Sequence, residues 1–233
     1  MELKGKGNLM GNSHKPKEVL IFGAGSFGEE VLDFLDDINC IHPTYRCIGF
    51  LDDEEKKWGG KLHGVPILGA FSESNKFPNS QLILAFTSIK NFWNRETIFS
   101  SIEKRLNRFE TIVHPSAMVS KTALIGKGTV IYPNVTIRSN ASIGNHVVVL
   151  PNSVVSHDVR IEDYSIIASG VNIAGRTTIG SCCYLGSGCS IRENLTIEDY
   201  CLIGMGSVVL THVARNCVMV GNPARKIRTV VES

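Results

Sequence analysis

An aliphatic residue returns at every sixth position of this chain, from residue 119 to residue 209, without one interruption. The repeating positions are Val119, Ile125, Ile131, Ile137, Ile143, Val149, Val155, Ile161, Ile167, Ile173, Ile179, Leu185, Ile191, Ile197, Ile203 and Val209. Two positions before each lies a second set of mostly small or slender residues: Ala117, Ala123, Thr129, Val135, Ala141, Val147, Ser153, Val159, Ser165, Val171, Thr177, Cys183, Cys189, Leu195, Cys201 and Ser207. A period of six is neither that of an α-helix nor the alternation of a single strand.

The period predicts a prism with three faces, in which each face takes one hexapeptide and the repeating side chains stack in the interior. Pro115, Pro133 and Pro151 recur at intervals of 18 residues, which is one complete coil. We expect these prolines to mark one corner of three successive coils, because a corner needs no backbone donor for a strand ladder. The sequence therefore predicts a parallel β-helix in its second half.

Composition narrows the classes of protein to which the chain can belong. Its 233 residues, 43% hydrophobic and 20% charged, are enough for two compact domains. A net charge of +2 without a basic run argues against a nucleic-acid partner. No apolar run approaches the roughly 18 residues of a membrane span and no signal peptide is recognisable, so we expect a cytoplasmic protein without a membrane partner. Residues 1–17 carry no periodic pattern and are predicted to be a flexible leader.

The cysteines and histidines do not form a pattern typical of metal ligands. Several of the seven cysteines, such as Cys183 and Cys201, occupy the small-residue positions of the repeat, where a reduced thiol acts as a compact apolar side chain. His146 and His157 lie 11 residues apart, which does not match the ligand spacing of a γ-carbonic-anhydrase-like zinc site. We therefore expect no bound metal.

The part of the chain before the repeat alternates apolar strands with amphipathic helices. Such alternation predicts a small parallel α/β sheet. The predicted strands are Glu18 to Phe22, Cys47 to Leu51, Gln81 to Phe86 and Phe109 to Val113, and the predicted helices are Glu29 to Ile38 and Trp93 to Leu106.

A glycine motif lies at the junction of the first strand and the first helix. Gly23, Gly25 and Gly28 complete G-x-G-x-x-G, and Asp52 follows the next strand. Glycines let the backbone approach a phosphate at the positive end of a helix, and a carboxylate after the next strand can bind a ribose or a base. The alternatives are a purely structural turn with a strand cap and a dinucleotide-binding oxidoreductase. About ninety residues make a cramped dinucleotide fold, so a mononucleotide or nucleotide-sugar fits better.

His157 and Asp158 lie together at a predicted corner of the prism. An imidazole with a pKa near neutrality can accept a proton from an attacking amine or hydroxyl, and a neighbouring carboxylate can orient its ring. The alternative for this dipeptide alone is a solvated pair without a chemical role.

The ordered set of motifs resembles a known family. The glycine loop, the His157-Asp158 corner, Gly170, Gly175 and the closing segment 220–225 resemble the sialic acid O-acetyltransferase-like hexapeptide-repeat acetyltransferases, and are most similar to bacterial nucleotide-amino-sugar N-acetyltransferases. The resemblance covers about residues 18 to 228. It implies an α/β Rossmann-like nucleotide-sugar-binding domain over 18–112, then an all-β left-handed parallel β-helix with a short C-terminal tail over 113–233. It also implies acetyl-CoA as cosubstrate and a homotrimer with active sites between neighbouring prisms.

The resemblance also implies roles for individual residues. His157 matches the general base and Asp158 the acidic residue that tunes it. Gly175 matches a glycine whose backbone N–H faces the thioester carbonyl. The remaining implied residues are Ser187, Met205 and Gly206 for the pantetheine arm, and Gly25, Ser26, Phe27, Asp52, Asp53 and Thr87 for the nucleotide-sugar.

Three positions depart from the pattern of the family. Several relatives carry histidines where this chain has Phe27 and Ile166, and an asparagine where it has Leu150. These changes bear on the acceptor sugar and on the contacts to the acetyl donor.

We therefore expect direct transfer of acetyl from acetyl-CoA to the amine of a nucleotide-linked deoxy-amino sugar. The first alternative is O-acetylation of a sialic-acid-type sugar, which uses the same histidine chemistry on a hydroxyl. The second is a non-catalytic hexapeptide-repeat scaffold.

Overall fold

The computed structural model describes residues 15–85, 91–98 and 108–230. Residues 1–14, which make up most of the predicted leader, lie outside this range. The N-terminal part contains β1 (Lys17–Phe22), α1 (Ser26–Ile41), β2 (Tyr45–Leu51), β3 (Lys61–Leu62), β4 (Val65–Pro66), β5 (Gln81–Leu84) and 3-10 helices at Glu55–Lys57, Phe71–Lys76 and Phe92–Asn94.

A three-stranded parallel sheet forms the centre of the N-terminal part, in the order β2-β1-β5. Helix α1 packs one apolar face inward, with Val31, Phe34, Leu35 and Ile38 buried at helical spacing. The small antiparallel pair of β3 and β4 follows β2. This arrangement confirms the predicted Rossmann-like domain, with a helix longer than predicted. No helix among the described residues is both long and apolar enough to cross a membrane.

Two predicted elements of this domain differ in the structure. Residues 95–98 are helical, but most of the predicted helix Trp93 to Leu106 lies outside the described residues. The predicted strand Phe109 to Val113 is divided between the two domains. Phe109 forms a bridge with Leu82 of β5, whereas Ile112–Val113 pairs with Val130–Ile131 of the prism. The division has a physical reason, since Val113 falls on the six-residue period one step before Val119 and its segment therefore has the prism's register.

From Ile112 to Val209 the chain is a prism of two-residue strands, each paired in parallel with a strand 18 residues away. It confirms the predicted β-helix. The six-stranded face contains Met118–Val119, Thr136–Ile137, Val154–Val155, Asn172–Ile173, Ser190–Ile191 and Val208–Val209. The five-stranded face contains Leu124–Ile125, Ser142–Ile143, Arg160–Ile161, Thr178–Ile179 and Thr196–Ile197. The eight-stranded face contains Ile112–Val113, Val130–Ile131, Val148–Val149, Ile166–Ile167, Tyr184–Leu185, Leu202–Ile203, Cys217–Val220 and the antiparallel Arg225–Thr229.

The interior of the prism is apolar, with hydroxyl groups that find acceptors in the next coil. The aliphatic positions from Ile131 onward are buried. Thr129 Oγ1 donates to the Gly144 carbonyl and Ser153 Oγ to the Ala168 carbonyl, each over 2.8 Å. These bonds explain why small polar residues are tolerated at the second set of positions.

Three columns of corners connect the faces. The first corner lies between the eight- and six-stranded faces, and the second between the six- and five-stranded faces. Asn140 and Asp158, both at the second corner, have φ of 60° and 58°. Asparagine and aspartate tolerate this left-handed conformation better than other non-glycine residues. The first corner comprises residues 132–134, 150–152, 168–170, 186–188 and 204–206, and the second residues 138–140, 156–158, 174–176 and 192–194.

The N-terminal part covers one face of the prism. Phe92 packs on the outer side of the eight-stranded face with Ile166 and Leu202. The buried Arg95 side chain donates from Nε to the Tyr164 carbonyl and from Nη2 to the His146 carbonyl, each over 2.8 Å. Burial lowers the Arg95 pKa to about 10, so the guanidinium stays charged at neutral pH. The outward side chains of the six- and five-stranded faces remain at least partly exposed.

Candidate functional site

The second corner carries the histidine that the sequence analysis selected. The His157 side chain is 52% exposed, and its Nδ1 lies 2.8 Å from Asp158 Oδ2. When Nδ1 holds its proton toward this carboxylate, Nε2 of the neutral ring carries the free lone pair. The geometry therefore gives Nε2 the capacity to accept a proton from a ligand.

Asp158 has a second partner that the sequence analysis missed. Asn140, 18 residues earlier and so one coil away at the same corner, donates from Nδ2 to Asp158 Oδ1 over 3.1 Å. Hydrogen bonds from His157 and then from Asn140 hold the Asp158 pKa below its ordinary value. Asn140 thus helps keep Asp158 ionised beside the imidazole. The signal in the sequence was the interval of one coil.

Gly175 lies directly against the His157 ring. A Cβ at this position would come within 2.6 Å of His157 Nε2. The Gly175 carbonyl accepts from the Asn194 N–H over 3.1 Å, whereas its own N–H has no protein acceptor in the described part of the chain. The structure therefore places a proton acceptor and an unused backbone donor side by side.

Replacing Gly175 with alanine is expected to displace the His157 ring, because the added methyl group occupies its place. Gly175 does not have a positive φ and the clash is with an exposed side chain, so the melting temperature should change little. Turnover should fall about ten- to a hundredfold, as expected for misplacing a reacting group. Ser139→Ala, at the corner one coil below His157, is the matched control. Turnover of Gly175→Ala at the control level would show that the ring position does not matter.

The glycine turn joins β1 to α1. A Cβ at Gly28 would come within 2.1 Å of the Gly23 carbonyl oxygen, so only glycine closes the turn at this point. Nothing lies within 4 Å of a Cβ built at Gly25, which precedes the first helical residue, Ser26. The positive end of α1 therefore opens to a ligand, as required for binding a phosphate.

The carboxylates after β2 are engaged within the chain. Asp52 Oδ2 accepts from the Ala24 N–H over 2.8 Å and from Lys57 Nζ over 2.9 Å. Burial opposes ionisation of Asp52, but the hydrogen bonds outweigh it and hold the pKa below its ordinary value. Asp53 Oδ1 accepts from the Phe71 N–H over 3.0 Å. Asp52 thus stabilises the glycine turn through its hydrogen bond to Ala24. Binding of a nucleoside by either aspartate stays a prediction.

Two further residues beside the glycine turn were missed by the sequence analysis. Lys57 forms an ion pair with Asp52, and Trp58 Nε1 donates to the Asp52 carbonyl over 2.6 Å while its side chain stays partly exposed. A cation and an aromatic ring suit a diphosphate and a base, respectively. Their position within six residues of Asp52 was the available signal. Thr87, the predicted diphosphate contact, lies outside the described residues.

The residues predicted for the pantetheine arm form a column along the first corner. Gly206 donates its N–H to the Ser187 carbonyl, and Gly188 to the Ser169 carbonyl, each over 2.9 Å. Met205 is 80% exposed at the end of this column. The column offers an open apolar and small-residue surface parallel to the prism axis.

The three residues that differ from the family pattern, Phe27, Leu150 and Ile166, each pack against other residues of this chain. Phe27 packs on Tyr132 of the first corner, with ring centroids 5.9 Å apart. Leu150 lies at the same corner and is partly buried. Ile166 is buried next to Phe92, so in this chain it belongs to the contact between the two domains.

The structure divides the predicted site residues between two corners. The glycine turn, through Phe27 and Tyr132, and the column through Ser187 lie at the first corner, whereas His157 and Gly175 lie at the second. The six-stranded face separates these corners by up to about 20 Å, the length of six extended residues. Among the described residues, the His157 ring contacts Asp158 and Gly175 and makes no contact with the glycine turn. In the described ranges, no three His, Cys, Asp or Glu side chains are grouped so that they could hold a metal ion.

Residues 108–233, more than half of the chain, match the family described as the GMPPB C-terminal domain. The chain belongs to this family. Residues 18–102 match a second family, described as the PglD N-terminal domain. In this member of the GMPPB C-terminal domain family, the β-helix therefore follows a PglD-type N-terminal domain.

Solved structures share the whole architecture. A mutant of perosamine N-acetyltransferase from Caulobacter crescentus, in complex with CoA and GDP-perosamine, is 22% identical with a TM-score of 0.80, covering 91% of this chain and 97% of that one. The acetyltransferase domain of PglB from Neisseria gonorrhoeae FA1090, with acetyl coenzyme A, is 22% identical with a TM-score of 0.78 and coverages of 91% and 100%. WeeI from Acinetobacter baumannii AYE is 24% identical with a TM-score of 0.63 and coverages of 91% and 100%.

Comparison with curated proteins finds no match. The two family matches and the solved structures confirm the resemblance predicted from the sequence. At these levels of identity, the solved structures establish the fold of this chain.

Proposed function

We propose that this protein is an acetyltransferase that transfers acetyl from acetyl-CoA to the amine of a nucleotide-linked deoxy-amino sugar. The observation that carries this proposal is the second corner, where His157 Nε2 lies against Gly175 and the Gly175 N–H is unused within the described chain. A base beside an oxyanion donor is the arrangement that acyl transfer requires. The matched structures with acetyl coenzyme A, or with CoA and GDP-perosamine, support the choice of donor and acceptor.

The proposed reaction is direct transfer without a covalent enzyme intermediate. A sugar ammonium first releases one proton to solvent, and the neutral nitrogen attacks the thioester carbonyl. His157 Nε2 accepts the second proton from nitrogen, while the Gly175 N–H stabilises the oxyanion of the tetrahedral intermediate. The carbon–sulfur bond then breaks, and the thiolate leaves as CoA after taking the proton from His157. Asp158 stabilises the imidazolium and keeps the ring in place.

We also propose the domain division and the assembly that the resemblance implies. Residues 18–112 would bind the nucleotide-sugar and residues 113–233 would carry the acetyl donor and the base. A homotrimer with sites between neighbouring prisms accounts for the separation of the two corners in one chain. The six- and five-stranded faces, whose outward side chains are partly exposed, flank the corner of His157 and are available for such packing. A cytoplasmic location, where acetyl-CoA is available, stays a prediction.

The proposal is tested by thiol release from acetyl-CoA with a panel of acceptors. The panel contains UDP-, dTDP- and GDP-linked 4-amino and 3-amino deoxy sugars together with free sialic acids. We expect saturable release with one nucleotide-amino-sugar. Release with sialic acid alone would replace the proposal with O-acetylation. No release with any acceptor, by a protein that binds acetyl-CoA, would show that the acceptor class is wrong.

A further inference from the structure

A cavity of about 360 Å³ lies between α1 and the first corner of the prism. Its volume is at the lower end of the range for ligand pockets, which suits a ligand the size of one sugar ring. One wall is formed by α1 and the other by the corner. The residues that line it include Phe27, Glu30, Asp33, Tyr132, Leu150 and Ser169.

The α1 wall of the cavity is acidic. Glu30, Asp33 and Asp37 recur at helical spacing, with Phe27 and Phe34 on the same side of the helix. Asp37 Oδ2 lies 3.4 Å from His114 Nε2. Within the described part of the chain, the exposed Glu30 and Asp33 have no ion pair, and partial burial together with the charge of Asp33 raises the Glu30 pKa. The wall therefore favours a ligand with a positive charge.

The corner wall contains a buried hydroxyl group, that of Tyr132. Tyr132 is 4% exposed, and its hydroxyl forms no hydrogen bond to any residue that the structure describes. Its ring packs against Phe27 and Phe34, with centroids 5.9 Å and 5.3 Å away. A buried hydroxyl without a partner costs folding free energy, so a ligand that supplies a hydrogen bond would be favoured here.

The cavity also connects two parts of the proposed site. Phe27, in the first turn of α1 next to the glycine turn, forms part of its wall. Ser169 forms another part, and its carbonyl accepts from the Gly188 N–H in the column along the first corner. A nucleotide-sugar bound at the glycine turn would thus extend its sugar into the cavity. The sugar would then lie next to the end of the column along the first corner, which is predicted to hold the pantetheine arm.

We propose that this cavity binds the sugar ring of the substrate, with Glu30 and Asp33 recognising its ammonium group and the Tyr132 hydroxyl recognising a ring hydroxyl. This inference rests on the proposed function and gives it a basis for selecting amino sugars. Leu150 and the aromatic rings would contact the apolar side of a deoxy sugar.

The test uses the best acceptor of the panel and the same nucleotide-sugar with a hydroxyl in place of the amine. Glu30→Gln is expected to raise the acceptor KM about tenfold and to reduce the preference for the amine, because it removes the charge. Tyr132→Phe should raise the acceptor KM several-fold without lowering the melting temperature, since the hydroxyl has no partner among the described residues. The KM for acetyl-CoA should stay constant in both. Asp36→Asn, an exposed carboxylate of α1 outside the cavity wall, is the control.

An active wild-type protein whose acceptor KM and amine preference are unchanged in both variants would overturn the cavity proposal and leave the proposed function intact. If the wild-type protein transfers no acetyl, the cavity proposal is tested by binding alone. Calorimetric titration then compares the affinity for the GDP-linked 4-amino sugar with that for its hydroxyl counterpart. Tighter binding of the amine that is lost in Glu30→Gln would support the cavity without the reaction. Equal binding, or no binding, would overturn it.

Discussion

Replacing His157 with alanine is expected to lower turnover by roughly 10² to 10⁴, the usual contribution of a general base. The fold should not suffer, because the side chain is 52% exposed and its polar contact is with Asp158 on the same surface. The KM values for both substrates should change little, since the ring acts on the proton that moves during transfer. Steady-state thiol release and a thermal melt measure these effects.

The control for this variant is His63→Ala, which removes an exposed histidine from the other domain. It should retain wild-type turnover. If His157→Ala keeps near-normal turnover in a folded assembly, His157 is not the base. A large loss of turnover that follows a lower melting temperature would indicate a structural role instead.

The sequence predicted the prism because side chains that stack in successive coils recur at a fixed interval along the chain. Each coil repeats the same environment, so Ile131, Val149 and Ile167 occupy equivalent interior positions and local pattern is sufficient. The glycine turn was equally readable, since Gly28 is required by the close approach of the Gly23 carbonyl.

The contacts at the site join residues that are far apart along the chain, and the local motifs do not say which of them meet. Asn140 reaches Asp158 only because one coil separates them, and Asp52 faces the Ala24 N–H because two strands end side by side. Phe92 packs on the eight-stranded face and helps bury Ile166, and Arg95 donates to the His146 and Tyr164 carbonyls at the adjacent corner. These contacts join the two domains. For this reason the sequence listed site residues but did not reveal that they fall at two corners.

Mixed assemblies of two inactive variants are expected to recover activity. Asp52→Ala removes the carboxylate that stabilises the glycine turn, and His157→Ala removes the proposed general base. Because these groups lie at opposite edges of the six-stranded face, each proposed site needs the turn of one chain and the histidine of another. A trimer that contains both variants always has two chains of one kind and one of the other, so about one of its three sites is intact.

The experiment co-expresses the two variants with different affinity tags and isolates the doubly tagged species. Its turnover should approach about a third of the wild-type value, whereas each variant alone should stay near background. Trimers of each single variant, melted and sized in parallel, show that neither has lost its fold or assembly. If one chain built a complete site, a mixed trimer would contain no chain with both groups, and activity would stay at background. Recovery therefore distinguishes a site shared between chains from one within a chain, and the absence of a doubly tagged species would contradict the trimer itself.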